Sequence, residues 1–418
     1  MSNKARDEKP RGLKPVQSVE LSENHFKTRW ILVGVFVVIA LVALGVMLSE
    51  WLTEDAGWVE IEATASQLHC GEDFIFSYCL GNGELSPTKE KKQVSALYSD
   101  CIVGAYRLFN NHEAFDGVVN LYTLNQNPNQ TYTVDPVLYS ALEKAETLGG
   151  RHLYLEALAE EYRKAFYGQN DPYAQENDPA VNEEFAAFCQ ILTDFANDPQ
   201  SVRLELGENN TVTLVVSDEY LAYAKEYDLS AFVGFHRLKN AFIIDYLAQR
   251  MIENGYTSGC ISSYDGYVRN LDEDNTPYSI NLFQLRGVEV YPAARMEYQG
   301  ARATVTFRAY PMGEKDALSF CTLPDGRVIT PYLNLRNGLY QTAANELVAY
   351  SDAIGCAELA LKLWSIYTAE ALNTEDLDRL QNIYWVWIDG TEIRSNDKAL
   401  VLKDLYNDGE IVYTFQRS

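Results

Sequence analysis

Glu358 and Lys362 set a carboxylate four residues before an ammonium, the favoured order for an ion pair on one helix face. A solvated helix face is the alternative. Arg336 stands two residues before Gly338, where a guanidinium can clamp a phosphate bidentately or form a structural ion pair. Asp228, Asp245 and Asp265 are further candidates for ligand contact, and each also fits an ordinary cap or turn position. The seven cysteines (Cys70, Cys79, Cys101, Cys189, Cys260, Cys321, Cys356) include no C-x-x-C pair and have no histidine at ligand spacing, so neither a zinc site nor a redox pair is indicated. Most sit in apolar contexts and read as small buried hydrophobes. The five histidines are dispersed, and no Ser/His/Asp or Cys/His order stands out.

Positioning these groups takes a sizeable core, and 418 residues with 47% hydrophobic content supply one. Strand-like runs at Trp58 to Ile61 and Phe74 to Leu80 lead to Ser86-Pro87, a helix-start signature. Val94, Leu97, Tyr98, Cys101, Ile102, Ala105, Leu108 and Phe109 then recur at helical spacing. Asp135-Pro136 opens a second helix that Gly149-Gly150 closes, and a third runs from Leu153 to Tyr167. Val181 to Ala196 reads as another. The period then falls to two in Val202 to Leu206 and Thr211 to Val216 around Gly207-Glu208-Asn209-Asn210, a hairpin. A helix is expected over Lys239 to Glu253, strands from Thr257 to Tyr332, a helix over Asp352 to Glu370, and strands again from Ile383. No regular βαβ repeat emerges, so the fold class is α+β.

Residues 30–48 carry no charge and approach the thickness of a bilayer as a helix, which makes them a candidate transmembrane anchor. Lys4, Arg6, Lys9, Arg11, Lys14, Lys27 and Arg29 against four acidic residues give the tail 1–29 about +3 and place it in the cytoplasm. The linker and entry strand span 49–66, and the domain 67–418 is then extracytoplasmic. The rest of the chain carries the strongly negative balance, which disfavours nucleic acid as a partner. The basic tail is suited to weak contact with anionic lipid. The twenty-eight tyrosines fit β-rich cores with a wet edge better than a binding face.

Several segments in order resemble the FAD:protein FMN transferases, the ApbE-type flavin transferases, over most of residues 67–380. Leu68-His69-Cys70-Gly71-Glu72-Asp73 stands where the family has Met-Gly-Thr. Leu124-Asn125 ends the stretch that corresponds to Ser-Glu-x-x-x-x-Asn. Asp228-Leu229-Ser230-Ala231, then Lys239 to Asp245, and Ser262-Ser263-Tyr264-Asp265-Gly266 follow the order of two Gly-rich turns, with glycines lost and about six extra residues between Asp228 and Asp245. Tyr332 to Gly338 stands where the family has His-x-Ile-Asp-Pro-x-Thr-Gly, without the His. Ala357-Glu358-Leu359-Ala360-Leu361-Lys362 stands for Ala-Asp-Ala-Leu-Ala-Thr, whose Asp and Thr bind Mg²⁺ in the family.

The resemblance implies a flavin-transferase-like domain with FAD as a possible cofactor. It makes Arg336, Asp265, Asn125, Asp228 and Lys239 the cofactor-binding candidates. Mg²⁺ becomes possible at Glu358, where pairing with Lys362 competes because lysine offers no oxygen ligand. Three readings follow: an active transferase that attaches FMN to Ser or Thr of a membrane redox protein, a relative that binds a flavin or a protein without the chemistry, or an unrelated surface protein. The eroded glycines and metal pair favour the second, and no catalytic residue is assigned.

Overall fold

The computed structural model describes residues 26–52, 54–63, 70–167, 176–271, 276–287, 289–323 and 325–417. Most of the tail expected over 1–29, parts of the linker 49–66, and Leu68 and His69 of the opening motif lie outside them. The chain forms two compact units, 1–54 and 55–418. The first contains helix α1 (Phe26–Leu52), whose described side chains end at Leu44. Among the described residues, no helix is long and apolar enough to cross a membrane.

The second unit is built on a nine-stranded sheet. Its spatial order is β1 (Gly57–Glu60), β2 (Phe74–Leu80), β6 (Gly259–Ser263), β7 (Tyr267–Asn270), β10 (Arg302–Arg308), β13 (Glu346–Ser351), β14 (Tyr384–Asp389), β15 (Glu392–Ser395) and β17 (Thr414–Arg417). Every pairing is antiparallel except β15 with β17. A hairpin of β8 (Pro277–Arg286) and β9 (Glu289–Gln299) joins β16 (Val401–Lys403) in a smaller sheet. The predicted hairpin, β4 (Val202–Gly207) with β5 (Thr211–Val216), is extended by β3 (Thr131–Thr133), which was not expected. Strands β11 (Cys321–Thr322) and β12 (Val328–Ile329) form a small pair.

Helices α2 (Pro87–Leu108), α3 (Leu121–Gln126), α4 (Pro136–Leu148), α5 (Glu156–Tyr167), α6 (Glu183–Asn197), α7 (Asp218–Glu226), α8 (Lys239–Glu253), α9 (Glu314–Ala317), α10 (Cys356–Tyr367) and α11 (Thr374–Asp378) complete the unit. The mixture agrees with the α+β expectation. Asp135 caps α4 by accepting from Val137 N at 2.8 Å, whereas Ser86 makes no side-chain cap at α2. The helix expected from Leu153 begins as a 3-10 turn, His152–Leu155, and becomes α-helical at Glu156. The helix expected over Asp352 to Glu370 is confined to α10, whose start is fixed by a tertiary cap described below.

Strand β13 separates two apolar layers, as a period of two requires. Leu347 and Ala349 enter the main core with α8 and α10, while Val348 and Tyr350 enter a second core with Leu282, Met296, Val386 and Ile393. All six β13 residues are buried. All seven cysteines are free thiols, five of them buried, as the apolar contexts suggested.

Candidate ligand-binding cavity

A cavity of about 550 Å³ opens beside the main core, within the range of small-molecule and cofactor sites. Its walls come from the end of α2 and the loop after it, from α5, from residues 235–243, from the turn after β6, and from residues 315–319 and 330–333. Tyr106, Phe109, Phe166, Phe235 and Tyr264 make much of it aromatic, and Arg163, Arg237, Lys239 and Lys315 add positive charge. Flat rings seat against such walls, and anionic groups against such cations.

Two of the five cofactor-binding candidates meet here. Lys239, the first residue of α8, lines the cavity, and among the described residues it has no ion-pair partner. Asp265 lines it from the turn after β6, hydrogen-bonded to the Ser263 hydroxyl and, at 3.1 Å, to Asn240 Nδ2. Burial raises the Asp265 pKa, and Arg237 opposes the rise. Asn240 Oδ1 and Arg237 Nε are buried in the same wall without hydrogen-bond partners among the described residues.

The other three candidates lie elsewhere. Asn125 is buried as a structural clamp: its Oδ1 accepts from Phe232 N (2.8 Å) and Val233 N (3.0 Å), and its Nδ2 donates to Val233 O (2.9 Å). Its hydrogen bonds shape the loop that leads to the cavity. Asp228 is exposed on the turn after α7 with φ +55. Arg336 is exposed and lines a separate polar groove with Asn334, Glu370 and Asp376. Sequence order placed these three near a common ligand, but none of them lines this cavity.

The pair that the resemblance sets at the metal position contacts itself. Lys362 Nζ lies 2.9 Å from Glu358 Oε1, both partly exposed. Asp245, another carboxylate of that motif order, accepts from Cys356 N (2.8 Å) and Ala357 N (2.9 Å) and so caps α10 from α8. Burial raises its pKa, and these N–H donors and Arg269 oppose the rise. Among the described residues, no group of three or more His, Cys, Asp or Glu side chains is arranged to hold a metal ion. The Glu358–Lys362 pair, with an ammonium where an oxygen ligand is needed, does not fit a Mg²⁺ site.

Sequence reasoning missed the cluster on the α5 wall. Glu156, Glu160 and Arg163 fall at i, i+4 and i+7, on one helix face. Arg163 Nη2 is 3.3 Å from Glu156 Oε1, and Arg163 Nη1 is 3.4 Å from His112 Nε2. His236, in the extra residues between Asp228 and Asp245, brings Nδ1 to 3.1 Å from Glu156 Oε2. The loop reaches Glu156 because residue 234 is glycine: a Cβ there would stand 1.9 Å from Glu156 Oε2. The i, i+4, i+7 spacing was the available signal, but nothing local showed that His112 and His236 would meet it.

Burial raises Glu160 to about 7, with Glu156 reinforcing and Arg163 opposing. Burial lowers His236, against the pull of Glu156, and lowers fully buried His152 further, with His236 adding to the effect. Burial alone would raise Glu156; the positive field of His236, Arg163 and His112 takes it lower. Glu156 is a buried carboxylate held between the Arg163 guanidinium and the His236 imidazole.

The nine-stranded sheet, with helices packed against one face, is an ApbE-like fold. Among solved structures it is similar to the ApbE protein of Thermotoga maritima, with a TM-score of 0.54 and 12% identity, covering 84% of this chain and 97% of that one. It also matches the ApbE flavin transferase of Vibrio cholerae in a histidine-to-glycine mutant (TM-score 0.49, 11% identity, 81% and 95% covered). The apo flavinyl transferase ApbE of Pseudomonas stutzeri matches with a TM-score of 0.48, 11% identity, and 84% and 94% covered. No family model and no curated protein matches the sequence. At such identity, the Thermotoga likeness establishes a shared fold in a divergent chain.

Proposed function

We propose that this chain is a divergent flavin-transferase-like protein that binds a flavin nucleotide in the α5-walled cavity without a metal ion. The observation that carries this reading is the cavity: about 550 Å³, aromatic on several sides, with Lys239 lacking an ion-pair partner among the described residues. Tyr106, Phe109, Phe235 and Tyr264 would hold an isoalloxazine ring, and Lys239 and Arg237 would face its phosphates. A bound flavin supplies two-electron redox capacity; the protein's part is to seat it and exclude water. The family's metal pair is replaced by Glu358 and Lys362, so the reading includes no step through Mg²⁺. Residues 30–48 serve as a single membrane anchor with the basic tail inside and the domain outside, supported by the uncharged run and its basic N-terminal flank.

The test is flavin fluorescence titrated with the full chain in detergent, in EDTA. The expected result is saturable quenching that weakens about tenfold in Lys239→Ala. No change in fluorescence at any protein concentration would sink the reading. Quenching that appears only with Mg²⁺ would restore the active transferase that moves FMN onto a membrane redox protein.

A further inference from the structure

A strand at the edge of a sheet leaves a row of backbone N–H and C=O groups unpaired, and proteins blunt such edges with charges, proline, bulges or a covering group. Strand β8 is the edge of the sheet β16-β9-β8, and both of its ends are defended in these ways. Pro277 opens it. At the other end the pairing with β9 is irregular between Leu282 and Phe283, the Glu346 carboxylate accepts from Phe283 N at 3.0 Å, and Asn345 Nδ2 approaches Leu285 O at 3.4 Å. Between these ends, residues 279–282 make no backbone hydrogen bond beyond the β9 ladder among the described residues. Residues 276–285 also carry no charge, in a chain of net charge −25. Phe283 N and Leu285 O face away from β9, so by the period of two the backbone groups of Ser279 and Asn281 face away as well. Trp58, half exposed, stands at the Tyr278 end of this stretch, its indole edge-on to that ring at 6.2 Å.

We propose that this open stretch of β8 is a dimer contact, pairing with the same stretch of a second copy of the chain, antiparallel about a two-fold axis at Ile280. The strand is its own complement. Reading outward from Ile280 in either direction, a polar residue comes first (Ser279, Asn281) and an apolar one second (Tyr278, Leu282). Antiparallel pairing then sets Ser279 against the partner's Asn281, Ile280 against the partner's Ile280, and Tyr278 against the partner's Leu282. Ser279 and Asn281, whose backbone groups face outward, become the hydrogen-bonded pairs, with about four bonds across the contact, and Ile280 becomes the closer pair between them. Leu282 lies in the second apolar core and Tyr278 and Ile280 pack against it, so the apolar layer of one copy continues into the other. On the opposite face the β9 neighbours of Ser279 and Asn281 are Glu297 and Arg295. These pair with each other at 3.2 Å and with Lys403 and Asp404, so neither meets the second copy as a bare charge. The occupant is a second copy because an uncharged strip is where two chains of the same strongly negative sign can approach, and because the register asks for no sequence but its own.

The inference is independent of what the cavity binds. Sedimentation equilibrium of the full chain in density-matched detergent tests it, and a concentration-dependent monomer–dimer equilibrium is the expected result. Ser279→Pro removes an outward N–H and leaves the β9 ladder intact, since proline is tolerated on an edge strand where the N–H faces solvent. It should weaken the dimer about tenfold and leave urea unfolding unchanged. Ile280→Cys should give a disulfide-linked dimer under a mild oxidant, because the two-fold brings that pair within disulfide reach, whereas the wild type with its seven free thiols should not. A chain that stays monomeric at every concentration would overturn the proposal. So would a dimer that persists undiminished in folded Ser279→Pro, or one that Ile280→Cys fails to lock. Should Ser279→Pro fail to fold, the outcome with Ile280→Cys decides.

Discussion

The start of α10 and the wall of α5 treat their polar groups in opposite ways. At α10, Asp245 satisfies two backbone N–H groups and Lys362 neutralises Glu358, so little bonding capacity is left over. On the turn facing α5 and at the start of α8, His236, Arg237 and Asn240 hold buried nitrogen or oxygen atoms without partners among the described residues. The first end is where the resemblance places chemistry, and the second is where it marks only Lys239 and Asp265. A carboxylate bonded to its own fold is structural, whereas an orphaned buried group beside a cavity keeps bonding capacity open. On the proposed reading, stability belongs to one region and binding to the other.

The comparison breaks most severely at Gly234. Gly234→Ala drives a methyl group into Glu156, so urea unfolding should show a loss of about 3 kcal/mol together with loss of flavin binding. Asp245→Ala should cost about 2 kcal/mol by leaving the α10 N–H groups unpaired, yet leave FMN affinity unchanged; lost affinity in a folded variant would erase the division of roles. His236 has a folded pKa below its unfolded value, so its contribution is complete above about pH 6.5 and is lost as pH falls. His236→Asn should therefore gain stability relative to wild type as pH falls from 6.5 to 5, measured by parallel denaturant melts. The smallest effect belongs to Lys362→Ala, a partly exposed i,i+4 pair, at no more than about 0.5 kcal/mol with the response to Mg²⁺ unchanged.

Local chemistry was readable along much of the chain. Lys239–Glu253 forms the helix its apolar spacing predicts, and β2, β4 and β5 follow the period of two. The short elements β3 and α7 escaped: β3 gains its hydrogen bonds only from β5, and α7 is nine residues of Tyr, Ala and charge between a strand and a turn. The order of the motif segments led to the right fold and to two cavity residues, Lys239 and Asp265. It misplaced Asn125, Asp228 and Arg336 relative to the cavity because motif order carries no information about which way a loop folds. Asn125 shows the reason most clearly: an amide that resembles a ligand contact spends its oxygen on the backbone of residues 232 and 233. His112 and His236 looked dispersed because the wall they share is assembled from segments more than a hundred residues apart.

Isothermal titration of the full chain with FAD, once in Mg²⁺ and once in EDTA, bears most directly on metal-free flavin binding. The account predicts saturable heat with the same affinity in both buffers. Binding in Mg²⁺ alone, or no heat in either, would contradict it.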